Sequence, residues 1–324
     1  MKIMDVFGGI TNIIRGTVSV TRLGPVREPY PHGDLLQQAV LRWIFEMVEK
    51  AGATEIYAPD PIKENGLVIE PRPIRKSGRI VDPGYPEFDQ LITIPESTVR
   101  CFRGMDKAYA DGIILPDKTA IFMFPADCLT INVVDVVLGK SSFEHGPRES
   151  TRRNLIPAVM EKFRDSKKEN LRVMLCFGIQ PEHFDHPFNH PVFGSHNQEM
   201  VEEILERWPK AIVGNPKEGK IWLHMLAAQR FMEYGVPAEN IFFDDMDTYA
   251  ERRPNGQFAY WSARRDRKER EKRQKSDEWT PLETPALQRP RNLVISINRG
   301  SFSPKWDWRT VPGIHPVSEI MKTI

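Results

Sequence analysis

No stretch of the sequence approaches the roughly 18 uninterrupted apolar residues that a membrane span requires. The most apolar region, 119–138, is cut by Pro125, Asp127, Asn132 and Asp135. Cysteine is scarce. Cys101, Cys128 and Cys176 are the only three in 324 residues, too few for a disulfide framework, and an odd number leaves at least one thiol outside any bridge. Net charge is nearly absent as well, with 45 Lys and Arg against 44 Asp and Glu. That balance excludes the basic field of a nucleic-acid coat or of a polybasic membrane binder. The N-terminal apolar stretch carries Asp5 and Gly8-Gly9, a poor signal peptide. There is no Walker-type or dinucleotide-type glycine loop, no Gly-x-Ser-x-Gly elbow and no His-Glu-x-x-His helix. What remains is the expectation of a soluble, cytoplasmic, reduced protein, with no nucleic-acid or membrane partner.

Enough apolar sequence is present, 40%, to bury a sizeable core. The alternation of strand-like and helix-like stretches predicts an α/β or α+β domain. Residues 34–51 form an amphipathic helix: Leu36, Val40, Ile44 and Val48 recur every four residues between Asp34 as N-cap and Gly52 as stop. Residues 119–124 and 129–137 are rich in Ile, Phe and Val and read as buried strands meeting at the break Pro125-Ala126-Asp127-Cys128. Residues 152–163 are helical, with Pro157 implying a kink or a start near Asn154. Residues 171–177 form another buried strand, ended by Gly178, and 197–208 and 220–234 form helices, the latter closed by Gly235 and Pro237. Residues 258–261 and 293–298 read as late strands. Between them, residues 264–278 hold eight basic and five acidic side chains, a solvated helix or a mobile insertion, with a basic contact patch as the other reading. A loop covers 281–290. The tail from Ser301 carries Trp306 and Trp308, which predicts docking on the body.

Several residues have the chemistry for a site. Cys128, at a break between strands, can point into a cleft as a nucleophile or a metal ligand, or sit inert in the core. His145 lies in the turn-rich Phe143-Glu144-His145-Gly146-Pro147-Arg148, where a ligand or acid–base role stands beside that of an ordinary surface histidine. His183, His186 and His190, with Asp185, offer metal donors, although Pro187 and Pro191 favour a plain loop. Arg42, beside Trp43, is available to an anionic group, and Arg264 and Arg265 are ambiguous in the same way. Cys176 belongs in the core and Cys101 is undecided.

Taken in order, these segments resemble the laccase-domain family, also called the multicopper polyphenol oxidase family. The resemblance runs from about Val6 to Asn298. It begins at Phe7-Gly8-Gly9-Ile10-Thr11 and continues through Gly33-Asp34, Leu41-Arg42 and Ala110-Asp111-Gly112. Ala126-Asp127-Cys128 matches the family's Ala-Asp-Cys, its most specific element here. His145 with Gly146 and Arg148 is similar to a His-Ala-Gly-Trp-Arg-Gly segment, without the Trp. Phe177-Gly178-Ile179-Gln180-Pro181 resembles an Ile-Gly-Pro turn. Residues 234–241 are close to Gly-Val-Pro-x-x-Asn-Ile, and Trp261-Ser262-Ala263-Arg264-Arg265 looks like Phe-x-Ser-x-Arg-Arg.

The resemblance implies one α+β domain of mixed sheets flanked by helices, spanning 1–300 with a charged insertion at about 264–290, followed by a tail at 301–324. It implies a zinc held by one cysteine and two histidines, and purine-nucleoside chemistry: phosphorolysis with phosphate as co-substrate, or deamination of adenosine. By that analogy Cys128 and His145 are metal ligands, Asp127 moves protons, and Arg42, Arg148, Arg264 and Arg265 contact substrate. One element departs from the pattern. The family's first ligand histidine stands in Gln-x-His-Gly one strand before Ala-Asp-Cys, and the corresponding stretch here, 91–99, has no histidine. Glu96, Cys101 or a histidine from 183–196 would have to replace it. A catalytically inactive binding protein and a metal-free Cys128–His145 thiol–imidazole enzyme are the alternatives.

Overall fold

The computed structural model describes residues 1–19, 35–58, 78–83, 90–94, 97–103, 110–275, 290–303 and 305–323. In chain order these form β1 (Lys2–Val6), β2 (Ile10–Ser19), α1 (Leu35–Lys50), β3 (Glu55–Ala58), β4 (Ile80–Val81), β5 (Gln90–Thr93), β6 (Arg100–Arg103), β7 (Gly112–Leu115), β8 (Thr119–Met123), β9 (Leu129–Asp135) and β10 (Lys140–Gly146). Then come α2 (Arg148–Arg152), α3 (Leu155–Lys162), β11 (Leu171–Cys176), α4 (Gly194–Arg207), α5 (Leu223–Glu233), β12 (Ile241–Asp244), α6 (Ala263–Lys275), β13 (Pro290–Asn298), β14 (Ile314–Pro316) and α7 (Val317–Ile320).

The strands build two seven-stranded mixed sheets. The first runs β1-β2-β13-β8-β3-β6-β5 and the second β14-β12-β11-β9-β10-β7-β4. Side-chain alternation along each strand shows how they stack, because successive residues face opposite sides of a sheet. On β2, Ile10 and Ile14 enter one apolar cluster while Ile13 enters another. On β13, Val294 joins the first and Leu293, Ile295 and Ile297 the second. The first cluster also holds Val134, Phe143, Met174 and Phe242 of the second sheet, so it fills the space between the two sheets. The second lies under α1, through Ile44, Phe45 and Val48. The outer face of the second sheet, with Ile131, Val133, Val173 and Leu175, packs on α3, α5 and α7. The result is a four-layer α+β sandwich. All seven residues of β9 are buried because both faces of that sheet are covered.

The sequence expectations fare unevenly. Helix α1 ends where Gly52 adopts a left-handed φ of 80°; its expected N-cap, Asp34, lies outside the described residues, as do Gly33 and 276–289. The 152–163 stretch takes the start after Asn154: α3 begins at Leu155, with Pro157 inside its first turn, where a missing N–H costs nothing. The charged stretch is helical from Ala263 to Lys275. The expected strand at 258–261 is a correction. Only an isolated bridge joins Arg252 to Phe258. The backbone groups that a ladder would use are taken by side chains instead: Asn292 accepts from Trp261 N and donates to Trp261 O, and Arg265 donates to Tyr260 O. The tail docks, with Trp306 against Phe7 and Phe242 at ring distances of 5.0 and 5.2 Å, and β14 adds to the second sheet beside β12. Among the described residues no helix is long and apolar enough to cross a membrane.

Candidate active site

Strand β8 belongs to the first sheet and β9 to the second, so Pro125-Ala126-Asp127-Cys128 is where the chain crosses between them. Buried Asn292 fixes this crossing: its N–H donates to Pro125 O and its side-chain amide to Ala126 O, at 3.3 and 2.9 Å. Asp127 is buried and its carboxylate is fully engaged. Oδ1 accepts from Thr248 Oγ1 and Oδ2 from the backbone N–H of Arg264, each at 2.8 Å. Burial raises its pKa, while those hydrogen bonds oppose the rise. The second of them caps the N-terminus of α6, where the helix leaves donors without intrahelical partners. Ser262 completes the cap by accepting from Arg265 N. Asp127 therefore ties the crossing to α6.

Opposite the crossing, the ladder of β9 and β10 pairs Leu129 with Gly146 and Thr130 with His145. Cys128 stands one residue before that ladder begins. His145 and Thr130, directly opposite, share the inner face. Diagonal neighbours on such a ladder lie about 7–8 Å apart at Cα, within reach of one small ligand. The ladder thus sets the backbone of Cys128 diagonal to His145, 17 positions on in sequence. Cys128 is half-buried. His145 is buried, its Nδ1 has no partner among the described residues, and burial pushes its pKa down to about 4. It is a neutral imidazole at neutral pH.

The four arginines separate. Arg148, at the start of α2 three residues past His145, and Arg264, at the start of α6, are close enough for each charge to act on the other, so both flank the Cys128–His145 strand ends. Arg265 points elsewhere: it donates to the carbonyls of Thr248, Tyr249 and Tyr260 and stacks on Phe258 at 3.6 Å, a clamp on the 248–260 loop. Arg42 is exposed on α1. The guanidinium over Trp43 belongs to Arg15, 4.5 Å from the ring centre.

The histidines of 183–196 scatter. His183 stacks on Tyr249 at 4.3 Å, with Nε2 3.5 Å from Asp247. His190 Nδ1 accepts from the backbone N–H groups of Val192 and Phe193, and His196 is exposed on α4. Only His186 turns inward, towards Arg148 and Arg264.

The family model described as multi-copper polyphenol oxidoreductase laccase matches residues 91–274, more than half of the chain, and takes in Asp127, Cys128, His145, Arg148 and Arg264. The chain belongs to that family. Solved structures agree on the fold. The hypothetical protein YfiH of Bacillus licheniformis superposes with a TM-score of 0.58 at 13% identity, covering 91% of this chain and 95% of its own. YlmD from Geobacillus stearothermophilus gives 0.55 at 15% identity, covering 90% and 93%. Neisseria meningitidis protein NMB0706 gives 0.52 at 14%, covering 92% and 98%. No curated protein matches the sequence.

A laccase-domain zinc would need more than this site offers. Cys128 and the partnerless Nδ1 of His145 are donors of the right kind, but a catalytic zinc takes about three protein ligands. Among the described residues no three His, Cys, Asp or Glu side chains form a group that could hold a metal. Cys101 is no substitute: it lies in the core beneath α1, on the outer side of the other sheet. Glu96 falls outside the described residues. The described donor set does not fit a resident zinc.

Sequence reasoning missed Asn292, Thr248 and Lys268, and named His186 only as a metal donor. Asn292 had a weak signal, a polar residue leading the apolar run Leu293-Val294-Ile295. Thr248 had none, since its partner is 121 residues away.

Proposed function

We propose that this laccase-domain protein acts on purine nucleosides with phosphate, at the cleft where Cys128 and His145 meet Arg148 and Arg264. The observation that carries the reading is the register of β9 and β10, which puts the buried, neutral His145, its Nδ1 without a partner among the described residues, at a strand end three residues before Arg148. The arginines hold phosphate, whose oxygens match the planar guanidinium fork. In phosphorolysis a phosphate oxygen bonds to C1′ of the ribose as the C1′–N9 bond breaks. The purine leaves with the electron pair and takes its proton from dihydrogen phosphate. His145 orients the nucleoside through a hydrogen bond. Asp127, with both oxygens engaged, positions the cleft. Deamination has less support, since it asks for an activated water and the described residues include no complete metal centre to supply one. The thiol–imidazole alternative is also disfavoured: a histidine held neutral offers no positive charge to stabilise a thiolate.

The test is incubation of inosine, adenosine and guanosine with phosphate, followed by chromatography for free base and ribose 1-phosphate. Phosphate-dependent free base is expected, falling roughly tenfold or more in Arg148→Met, as loss of a charge-assisted hydrogen bond requires. No free base from any of the three sinks the reading. The second reading, a binding protein without turnover, is favoured by the incomplete donor set. It predicts that the protein binds inosine but leaves it intact.

A further inference from the structure

His183 lies flat on Tyr249, with ring centres 4.3 Å apart and planes within 19° of parallel. Phe7, Phe177 and Trp222 instead meet their aromatic neighbours edge-on, as rings in a packed core commonly do. Beneath the pair, Tyr249 packs on the apolar cluster that holds Met200, Val201 and Ile204 of α4. Above it, the His183 side chain remains 33% exposed. Its edge is pinned, because Nε2 is 3.5 Å from Asp247 Oδ2. Asp247 is itself fixed, its Oδ1 accepting from the backbone N–H groups of Tyr249 and Gln180 at 2.9 and 3.4 Å. The loop has other anchors: Arg265 donates to the carbonyls of Thr248 and Tyr249, and Thr248 N donates to Gly178 O. The stacked imidazole is therefore held still without being needed to hold the loop. Its place is beside the crossing. Thr248, the residue before Tyr249, donates to Asp127, the residue before Cys128. Lys268 Nζ lies 5.6 Å from the Tyr249 ring centre and shares Asp185 with Arg264.

We propose that His183, backed by Tyr249, is the wall on which the purine base of the nucleoside stacks. A purine has a π-face on either side and stacks on aromatic side chains, histidine among them, without hydrogen-bond readout. A ring already fixed by a carboxylate and a second ring loses little freedom when a third layer is added. The base then occupies the aromatic side of the cleft and the phosphate the arginine side. The inference deepens the purine reading and rests on it, adding the residue that sets affinity for ligands that carry a base.

Titration calorimetry of the full chain with inosine tests the wall, and ribose 1-phosphate, which has no base, serves as the control ligand. Inosine affinity should fall roughly tenfold in His183→Ala, the scale of one lost base–aromatic stack. It should return to near the wild-type value in His183→Phe, which keeps a flat ring and loses the Asp247 contact. Ribose 1-phosphate should bind all three proteins alike, showing that the cleft is intact. The fluorescence of 2-aminopurine riboside should be quenched on binding to the wild type, a readout that needs no variant to fold. Inosine affinity unchanged in His183→Ala overturns the wall. So does an equal loss in His183→Ala and His183→Phe, which assigns the effect to the Asp247 contact, and so does bound 2-aminopurine riboside that stays bright. The expected binding pattern with no free base from inosine leaves the wall standing and removes the catalytic reading. Free base formed with a KM for inosine that His183→Ala does not raise does the reverse.

Discussion

Glu144 and His145 are neighbours on β10 that titrate in opposite senses for the same reason. Both are buried, and burial penalises whichever form is charged. It pushes Glu144 up to about 8 and His145 and His224 down to about 4. Between about pH 4.5 and 8 the folded protein keeps a proton on Glu144 that the unfolded chain has released, so stability falls as pH rises through that window. Between about pH 6.5 and 4 the unfolded chain gains protons on its histidines that the folded protein refuses, so stability is lost as pH falls. From pH 6.5 to 8 the Glu144 effect acts without opposition from these histidines. Urea midpoints should decline over that range in the wild type and level off in Glu144→Gln; an equal decline in both would show that Glu144 is not the group responsible. Space beside Glu144 is also tight. A Cβ on Gly112 would meet Glu144 Cγ at 2.6 Å and Phe143 O at 2.8 Å. Gly112→Ala should therefore cost about 1–3 kcal/mol of overpacking in urea denaturation.

Helix α6 has hardly any apolar side chains, so little of it is held by packing. Its attachment depends on the first turn. Asp127 accepts from Arg264 N, Ser262 accepts from Arg265 N, and Trp261 Nε1 donates to Asp266. An N-cap is worth about 0.5–2 kcal/mol, and removing Asp127 also strands the buried Thr248 hydroxyl. Asp127→Ala should destabilise the protein by about 2–3 kcal/mol in denaturant titration. It should also raise hydrogen exchange selectively in the first turn of α6. Exchange rising evenly over the whole molecule would argue against the cap. The turn at Phe177-Gly178 works with it. Phe177 is held at a left-handed φ of 62° while its N–H donates to Asp244. Gly178 O then accepts from Thr248 N, and Ile179 N donates to Asp127 O. Three segments distant in sequence are locked around the crossing.

At the scale of the whole molecule, the largely apolar space between the sheets is crossed by polar links, one of which runs from Asn298 of β13 to Leu115 O and Ser141 Oγ of the second sheet. Asn12 donates to Asn132 Oδ1 and Asn132 to Ser296 Oγ, each at 2.8 Å, linking the second sheet to the first. The tail seals one end of that space. Trp306 packs edge-on against Phe7 of the β1–β2 turn and Phe242 of β12, contacts that span both sheets. Truncating a fully buried large aromatic costs about 3–5 kcal/mol. Trp306 is only partly buried, so Trp306→Ala should cost about 2 kcal/mol or somewhat more, read as a lowered urea midpoint in one cooperative transition. A midpoint within error of the wild type would mean that the tail merely rests on the sandwich.

Periodicity and punctuation determined most of the elements. The four-residue spacing of α1, the apolar runs of β8, β9, β11 and β13 and the stop at Gly52 are local properties of side-chain direction and backbone sterics, and the sequence carries them openly. Ordered short motifs likewise carried the family, because Ala-Asp-Cys and the arginine pair at 264–265 survive as residues in a row. Tertiary structure alone decided which sheet each strand joins, and so turned a break between two strands into a crossing between two sheets. It alone separated Arg264 from Arg265, adjacent in sequence but one facing Asp185 and the other buried on backbone carbonyls. It also cancelled the strand at 258–261, because Asn292 and Arg265 took hydrogen bonds that no local pattern announces. Partners reached across more than a hundred residues are fixed by the packing of the whole, and a site made from them becomes visible only once the chain has folded.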